Sequence, residues 1–400
     1  MSASIEKQLA LFREATVDLV SEPELREKLA SGRPLRIKFG CDPSSPNMHV
    51  GHGVPLELLR ELQDFGHTII FLIGDFTGMI GDPTGRSRTR PALTREEVSA
   101  NAVTYREQVG LLLDTTRVET RFNSEWMDEF RAADVLRLMA STSVARILER
   151  EDFSRRHREG VSIALHEFLY PLVQAYDSVA LAADIELGGT DQLFNLLLGR
   201  EIQRAYGQSP QIVLTTPLLV GTDGVEKMSK SLGNAIGVSD TPEDIYGKTM
   251  SIPDGALPEW IRLLARGNTE LSRNLAGLAD GGNPRDVKAG LARHLVARFH
   301  GEAAASAAET HFDHVIRKGG VPDDLTEVLL RTEGAPSILV LAALVAGGFA
   351  ASKGEARRLI TQGGVRVDGS VIRELDRTLS PGEYVLQVGK LRWARLVVRS

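Results

Sequence analysis

Cysteine is almost missing from this chain. A single thiol, Cys41, among 400 residues excludes any intramolecular disulfide and makes no metal site alone, so the chain reads as one folded in a reducing compartment, with Cys41 a small buried residue. Long apolar runs are missing as well. The longest uncharged one, 338–351, is shorter than the roughly 18 residues needed to span a bilayer, and Gly347 and Gly348 interrupt it. Residues 1–15 have no apolar signal core and alternate like an amphipathic helix, so a cytoplasmic protein with no membrane partner is expected. There is no excess of positive charge: 47 Lys and Arg against 53 Asp and Glu give a net charge of -6. That excludes a chain coated in basic residues but leaves room for a local basic module. What is present, 42% hydrophobic and 25% charged residues, is the make-up of a globular protein, long enough for two or three domains.

The chain is organised around residues 37–59, IKFGCDPSSPNMHVGHGVPLELL. Residues 34–39 have strand character, 42–47 are turn chemistry, and helical spacing begins at Val54. His49-Val50-Gly51-His52 thus opens a helix. Two imidazoles, a glycine and the unpaired N–H groups of a helix start make a corner suited to polyphosphate. Such a tetrapeptide also arises by chance, and its weight depends on a partner downstream. Residues 67–73 read as a strand covered on both faces, so strand, helix and strand form a βαβ unit. A Gly/Asp/Thr loop, 74–85, follows at the strand's carboxyl end, where open α/β sheets place ligands. The basic residues Arg86, Arg88 and Arg90 come next, open to either solvent or phosphate.

A helix is expected over 94–112, opened by the capping box Thr94-x-x-Glu97. A strand over 118–122, the segment Asn123-Ser124-Glu125-Trp126 and two short helices in 130–150 read as scaffold. Residues 6–20 read as a surface helix. Residues 162–182 read as one buried helix, loosened by Pro171. On it Tyr170, Gln174 and Asp177 fall along one stripe at i, i+4 and i+7, either the wall of a pocket or a thin solvent-facing line. Residues 184–187 read as a strand, and Gly188-Gly189-Thr190-Asp191-Gln192 is a further glycine turn before a helix over 193–206. Another strand over 211–214 leads to a flexible cationic arm, Lys227-Met228-Ser229-Lys230-Ser231. Two lysines three apart suit a polyphosphate leaving group.

HVGH and KMSKS, in that order and separation, resemble the paired signatures of class I aminoacyl-tRNA synthetases. Together with GDFTGMIGDPTGRS, LYPLVQAYDS and GGTDQ, they make the chain similar over its whole length to the bacterial tyrosyl-tRNA synthetase family. The resemblance implies an α/β fold class: a Rossmann-like parallel-sheet catalytic domain over 1–235, an α-helical anticodon-binding domain over 236–320, a linker over 321–336 and a small α+β S4-like RNA-binding domain over 337–400. It implies tyrosine activation with ATP and Mg²⁺, no tightly bound cofactor and no protein-held metal, with tRNA(Tyr) as partner and a homodimer as assembly. Carried over by position, the substrate ammonium falls to Asp82, Tyr170 and Gln174, the phenol to Asp177, and the substrate carboxylate to Gln192. Asp42, Ser44, His49, Gly51, His52, Gly189, Asp191, Met228 and Lys230 surround ATP, with Asp191 on the ribose. His49, His52, Lys227 and Lys230 become the catalytic groups acting on phosphates, and Arg86 and Arg90 belong to a mobile basic loop. One departure stands out. Where many members place a phenol-binding tyrosine, this chain has Lys38, which shifts phenol recognition toward Asp177.

Helices and polar loops fill 242–317. From 337 to 400 there are 10 Lys and Arg against 5 Asp and Glu, so this tail is +5 and the remainder -11. Lys353, Arg357 and Arg358 on a helix, and Arg366 in the turn that follows, form the footprint of a phosphate-backbone reader. A tryptophanyl-tRNA synthetase would share fold and signatures, but the S4-like tail and the QAYD stripe speak against it. Intact HVGH and KMSKS likewise speak against a noncatalytic RNA-binding protein.

Overall fold

The computed structural model describes residues 4–43, 47–81, 94–317, 325–332, 334–389 and 392–400. The chain divides into two compact units, 1–305 and 306–400. The first opens with helix α1 (Ile5–Ala15), capped by the Ser4 side chain on Lys7 N–H, and strand β1 (Asp18–Val20). The sequence alone suggests one helix through residue 20. The strand escapes a local reading because its pairing is long-range, Asp18 opposite Thr215.

Strands β2 (Arg36–Cys41), β3 (Thr68–Ile73), β4 (Val118–Phe122), β5 (Ile185–Gly189) and β6 (Ile212–Thr216) complete a six-stranded sheet in the order β1-β6-β5-β2-β3-β4. All neighbours run parallel except β1 against β6. Apolar runs such as Ile69 to Ile73 suit strands covered on both faces, and these five side chains are buried. Strand order reverses between β2 and β5, the switch point where such sheets bind ligands.

Helix α2 (Gly53–Asp64) follows the histidine turn, and α3 (Arg95–Val109) starts at the expected capping box, with Thr94 and Glu97 exchanging hydrogen bonds. The helix expected over 162–182 is in fact a 3-10 turn, Leu165–Phe168, followed by α4 (Leu169–Ala180). Pro171 is the cause. It lies in the first turn of α4, where its missing N–H costs no hydrogen bond, and so it introduces no kink. Leu172, Ala175 and Val179 of α4 pack against Leu198 and Ile202 of α5 (Leu193–Ala205).

Helices Pro242–Met250, Leu257–Leu264 and Thr269–Ala276 and the longer α6 (Pro284–His300) close the first unit around the fully buried Trp260 and Tyr246. Glu57 of α2 meets Arg298 of α6 at 3.0 Å, and Glu61 pairs with Arg266. The helical layer is thereby tied to the helix that begins at the histidine turn. Burial pushes the Glu57 carboxyl up to about 7, against the pull of Arg298 and Arg266.

The second unit contains β7 (Glu327–Arg331), β8 (Ile338–Leu339), helix α7 (Lys353–Thr361), β9 (Val365–Val367), β10 (Ser370–Ile372), β11 (Thr378–Leu379), β12 (Gly382–Val388) and β13 (Arg392–Arg399). Five strands form one sheet, β10-β9-β12-β13-β7, over a core of Leu344, Ile360, Leu386 and Leu396. The stretch 321–336, expected as linker, therefore contributes β7, which runs parallel to β13. Again the partner is remote, and the acidic, Gly- and Pro-punctuated sequence conceals it. Among the described residues, no helix is long and apolar enough to cross a membrane.

Candidate active site

A cleft of about 320 Å³ opens at the carboxyl ends of the central strands. Into it come the ends of β2 and β5, the histidine turn, one side of α4 and the segment after β6. The two signature segments are 175 residues apart in sequence, and the residues just after the second, 236–238, pair by backbone with the histidine turn. Val50 N–H donates to the Ile236 carbonyl at 2.9 Å, Val238 N–H donates to the Met48 carbonyl at 3.1 Å, and His49 stands opposite Gly237.

The lysine arm is shaped by the buried Asn234. Its Oδ1 accepts Ser229 N–H at 2.8 Å, while Nδ2 donates to Asp223 at 2.6 Å and to the Lys227 carbonyl at 3.2 Å. Gly221 must be a glycine here, because a Cβ at that position would overlap the Asn234 side chain. Lys227 Nζ reaches Asp191 Oδ2 at 2.9 Å, and the Lys230 ammonium donates to the Asn47 carbonyl.

The imidazoles of His49 and His52 lie 4.0 Å apart. His52 Nδ1 lies 3.2 Å from both the His49 backbone nitrogen and the His49 carbonyl oxygen, so it accepts from the one or donates to the other according to the ring's tautomer. Burial, reinforced by His52 and the two lysines, pushes His49 down to about 2; burial pushes His52 down to about 4. Both rings are therefore neutral donors at physiological pH, and positive charge for an anion comes from the lysines.

On the opposite wall, Tyr170, Gln174 and Asp177 all border the cleft, so the stripe is a pocket wall and not a solvent-facing line. Tyr170 donates its hydroxyl to Asp42 Oδ2 at 2.8 Å, and Thr77 donates to Asp42 Oδ1 at 2.7 Å. The Arg150 guanidinium sits 5.8 Å over the Tyr170 ring. Asp177, 2% exposed, accepts from Trp126 Nε1 at 2.9 Å and from Asn123 Nδ2 at 3.4 Å. Burial pushes its carboxyl up to about 7, while Lys38 and these two donors pull the other way.

Lys38, Asp42, His49, Gly51, His52, Tyr170, Gln174, Asp177, Gly189, Asp191, Gln192, Lys227 and Met228 thus share one cleft, with Lys230 beside it. Ser44, Asp82, Arg86 and Arg90 lie outside the described residues. Cys41 borders the cleft and is only partly buried, contrary to the sequence reading; burial and Asp42 push its thiol up to about 12. In the second unit Lys353, Arg357, Arg358 and Arg366 are all exposed.

Several residues that sequence reasoning missed orient this wall. Asn123 and Trp126, read as scaffold, hold Asp177. Asn195 donates to Gln174 Oε1 at 2.8 Å and to Gln192 Oε1 at 3.1 Å, which fixes two amides that face the cleft. Glu186 stands across from Lys38. For this pair a sequence signal existed: Lys38 stands between Ile37 and Phe39, and Glu186 between Ile185 and Leu187, charges of opposite sign each set among apolar strand residues.

The model for class I tRNA synthetases (W and Y) matches residues 30–316, and that for the S4 domain matches 341–385. The chain is 51% identical to the tyrosine–tRNA ligase of Bordetella avium over 99% of its own length and 97% of that protein's. It is 50% identical to the one of Nitrosomonas europaea over 100% and 98%. Among solved structures, the tyrosyl-tRNA synthetase of Archaeoglobus fulgidus complexed with L-tyrosine is similar with a TM-score of 0.64 at 26% identity, covering 76% of this chain and 100% of that one. A C-terminally truncated mitochondrial tyrosyl-tRNA synthetase from Aspergillus nidulans shares the fold, with a TM-score of 0.64 at 23% identity over 77% and 92%. With the W and Y model matched over most of the chain and half of all residues shared with these bacterial relatives end to end, the chain belongs to the tyrosine–tRNA ligase family of class I tRNA synthetases.

Proposed function

We propose that the cleft activates L-tyrosine with ATP and passes the tyrosyl group to the terminal adenosine of tRNA(Tyr). The observation that carries this reading is the meeting, in one cleft, of a neutral histidine pair, a lysine arm and a buried wall ending in an acid. In the first step a tyrosine carboxylate oxygen attacks the α-phosphorus in line. The bond from that phosphorus to the bridging oxygen breaks, and pyrophosphate leaves. In the second, a hydroxyl of the terminal ribose attacks the carbonyl carbon and AMP departs. No covalent enzyme intermediate is needed, so the protein works by positioning and charge stabilisation.

Tyr170, Gln174 and Asp82 take the substrate ammonium, Gln192 the carboxylate and Asp177 the phenol hydroxyl. Asp191 accepts from the ribose, and Asp42, Ser44, Gly51, Gly189 and Met228 line the ATP path. His49 and His52 donate neutral N–H groups to the phosphates, and Lys227 and Lys230 supply charge as it builds on the leaving group. Arg86 and Arg90 add basic groups to the same chemistry. Mg²⁺ enters with ATP as part of the substrate; among the described residues no cluster of three or more His, Cys, Asp or Glu side chains could hold a metal.

The domain division follows the family: catalytic over 1–235, anticodon-binding over 236–320 and RNA-binding over 337–400, to whose sheet Glu327–Arg331 adds a strand. The setting is cytoplasmic protein synthesis. A homodimer is supported by the exposed apolar residues Leu136, Met139 and Val144. Amino-acid-dependent exchange of pyrophosphate into ATP tests the activity. Exchange should be driven by tyrosine and not by tryptophan or phenylalanine, and indifference to the amino acid would reject the reading.

A further inference from the structure

Beneath the wall of the cleft lies a buried ion pair that no step of the proposed mechanism uses. Lys38 of β2 and Glu186 of β5 are register partners, so both side chains leave the sheet on the same face, toward α4. The Lys38 side chain is 0% exposed and that of Glu186 3%. The three donors of the ammonium meet three acceptors: Glu186 Oε1 at 2.9 Å, Ser178 Oγ at 2.9 Å and the Gln174 carbonyl at 2.8 Å. Glu186 in turn accepts from Ser178 Oγ at 3.1 Å, from Gln174 Nε2 at 3.5 Å and from Gln211. The fold makes room for this cluster, since a Cβ on Gly199 of α5 would collide with the Gln211 amide and lie 3.2 Å from Glu186.

A buried ion pair is weak evidence for stability, because desolvation offsets most of the attraction. This one is placed where it acts on specificity. Gln174 and Ser178 flank Asp177 on α4, so the lysine grips the turn that aims the acid.

We propose that Lys38 is a positioning residue for substrate selection: held by Glu186 and bonded to the Gln174 carbonyl and Ser178 Oγ on either side of Asp177, its ammonium fixes the turn of α4 that presents Asp177 to a phenol hydroxyl and favours the anion there. The proposal rests on the tyrosine-activating reading above. Among the described residues facing Asp177, Trp126 and Asn123 from the segment after β4 are neutral. Lys38 from β2 and Glu186 from β5 are the charged ones, and Lys38 acts more strongly. Removing both therefore raises the Asp177 pKa above its present value of about 7. At neutral pH the carboxyl, already about half-protonated, then becomes mostly protonated, and the anionic fraction falls about fivefold for the first unit.

The test is the pH dependence of tyrosine- and phenylalanine-driven pyrophosphate exchange in the full-length Lys38→Met/Glu186→Gln double variant, which leaves neither charge of the pair without its partner. Thermal unfolding verifies that it is folded; Lys38→Gln/Glu186→Gln, which keeps polar partners, replaces it if it is not. We expect kcat/KM for tyrosine at pH 7 to fall severalfold and to recover toward pH 9, with phenylalanine little changed at either pH. A folded double variant that keeps the wild-type tyrosine-to-phenylalanine ratio overturns the proposal alone. So does an equal loss for both amino acids that no change of pH restores, since that is what a structural role would give. A wild-type chain without tyrosine-dependent exchange overturns the functional reading, and this proposal with it.

Discussion

At the scale of single residues the cleft depends on groups whose environments move their protons. Asp177 is the clearest. Its carboxyl is raised to about 7 by burial, against an ordinary carboxylate value of 3.8. The folded chain therefore holds this proton more tightly than the unfolded chain. The resulting contribution to stability is complete below pH 3.8 and is lost as pH rises through about 7. Tyrosine binding runs the other way, since the anion is the stronger acceptor. We expect kcat/KM for tyrosine to climb as pH passes through about 7, and phenylalanine to show no such rise. Asp177→Ala should erase that rise and lower the tyrosine preference by roughly 5- to 150-fold, the equivalent of ~1–3 kcal/mol for a lost buried polar partner. Pyrophosphate exchange at several pH values reads both effects.

At the scale of elements, the lysine arm is not free to wander. The Asn234 amide, accepting from Ser229 N–H and donating to Asp223 and the Lys227 carbonyl, shapes the arm, and backbone pairing ties the next residues to the histidine turn. Asn234→Ala releases the arm while leaving the tyrosine wall on α4 untouched. Because an ångström of misplacement costs on the order of 100-fold in rate, adenylate formation should fall about tenfold to a hundredfold. Tyrosine affinity in the absence of ATP should stay within about twofold, a range too small to signal a broken hydrogen bond. Single-turnover kinetics and equilibrium binding separate the two, and a parallel loss of tyrosine affinity would refute this division of labour. The helical layer has its own tie to the histidine turn through Glu57 with Arg298 and Glu61 with Arg266.

At the scale of the whole molecule, charge is segregated: residues 337–400 carry +5 while the remainder carries -11. In the second unit Lys353, Arg357, Arg358 and Arg366 stay exposed over a small core of their own. If these groups meet phosphate, deleting any one of them should weaken tRNA binding and reduce the salt slope by about 0.7 to 0.9. The Arg357→Ala/Arg358→Ala variant should therefore bind tRNA less tightly at low salt and depend less on salt, with tyrosine-driven pyrophosphate exchange unchanged. Filter binding over a range of salt concentrations measures the first two, and an unaltered slope would remove these arginines from the interface.

Much of this was legible in the sequence because it is local or periodic. The β-branched run before Ile73 dictates a strand buried on both faces; Thr94 and Glu97 dictate a helix start; the spacing of Tyr170, Gln174 and Asp177 puts them on one stripe whatever they face. HVGH and KMSKS carry the family. Only the tertiary structure decided what depends on partners far apart in the chain. Strands Asp18–Val20 and Glu327–Arg331 exist through pairing with remote strands, and Asn123 and Trp126 matter because the fold turns them toward Asp177. Lys38 looks in sequence like a missing tyrosine. The register that sets it against Glu186 makes it a buried, fully bonded cation, because a side chain's charge and role follow from what desolvates it and what meets it, and neither is written in its neighbours along the chain.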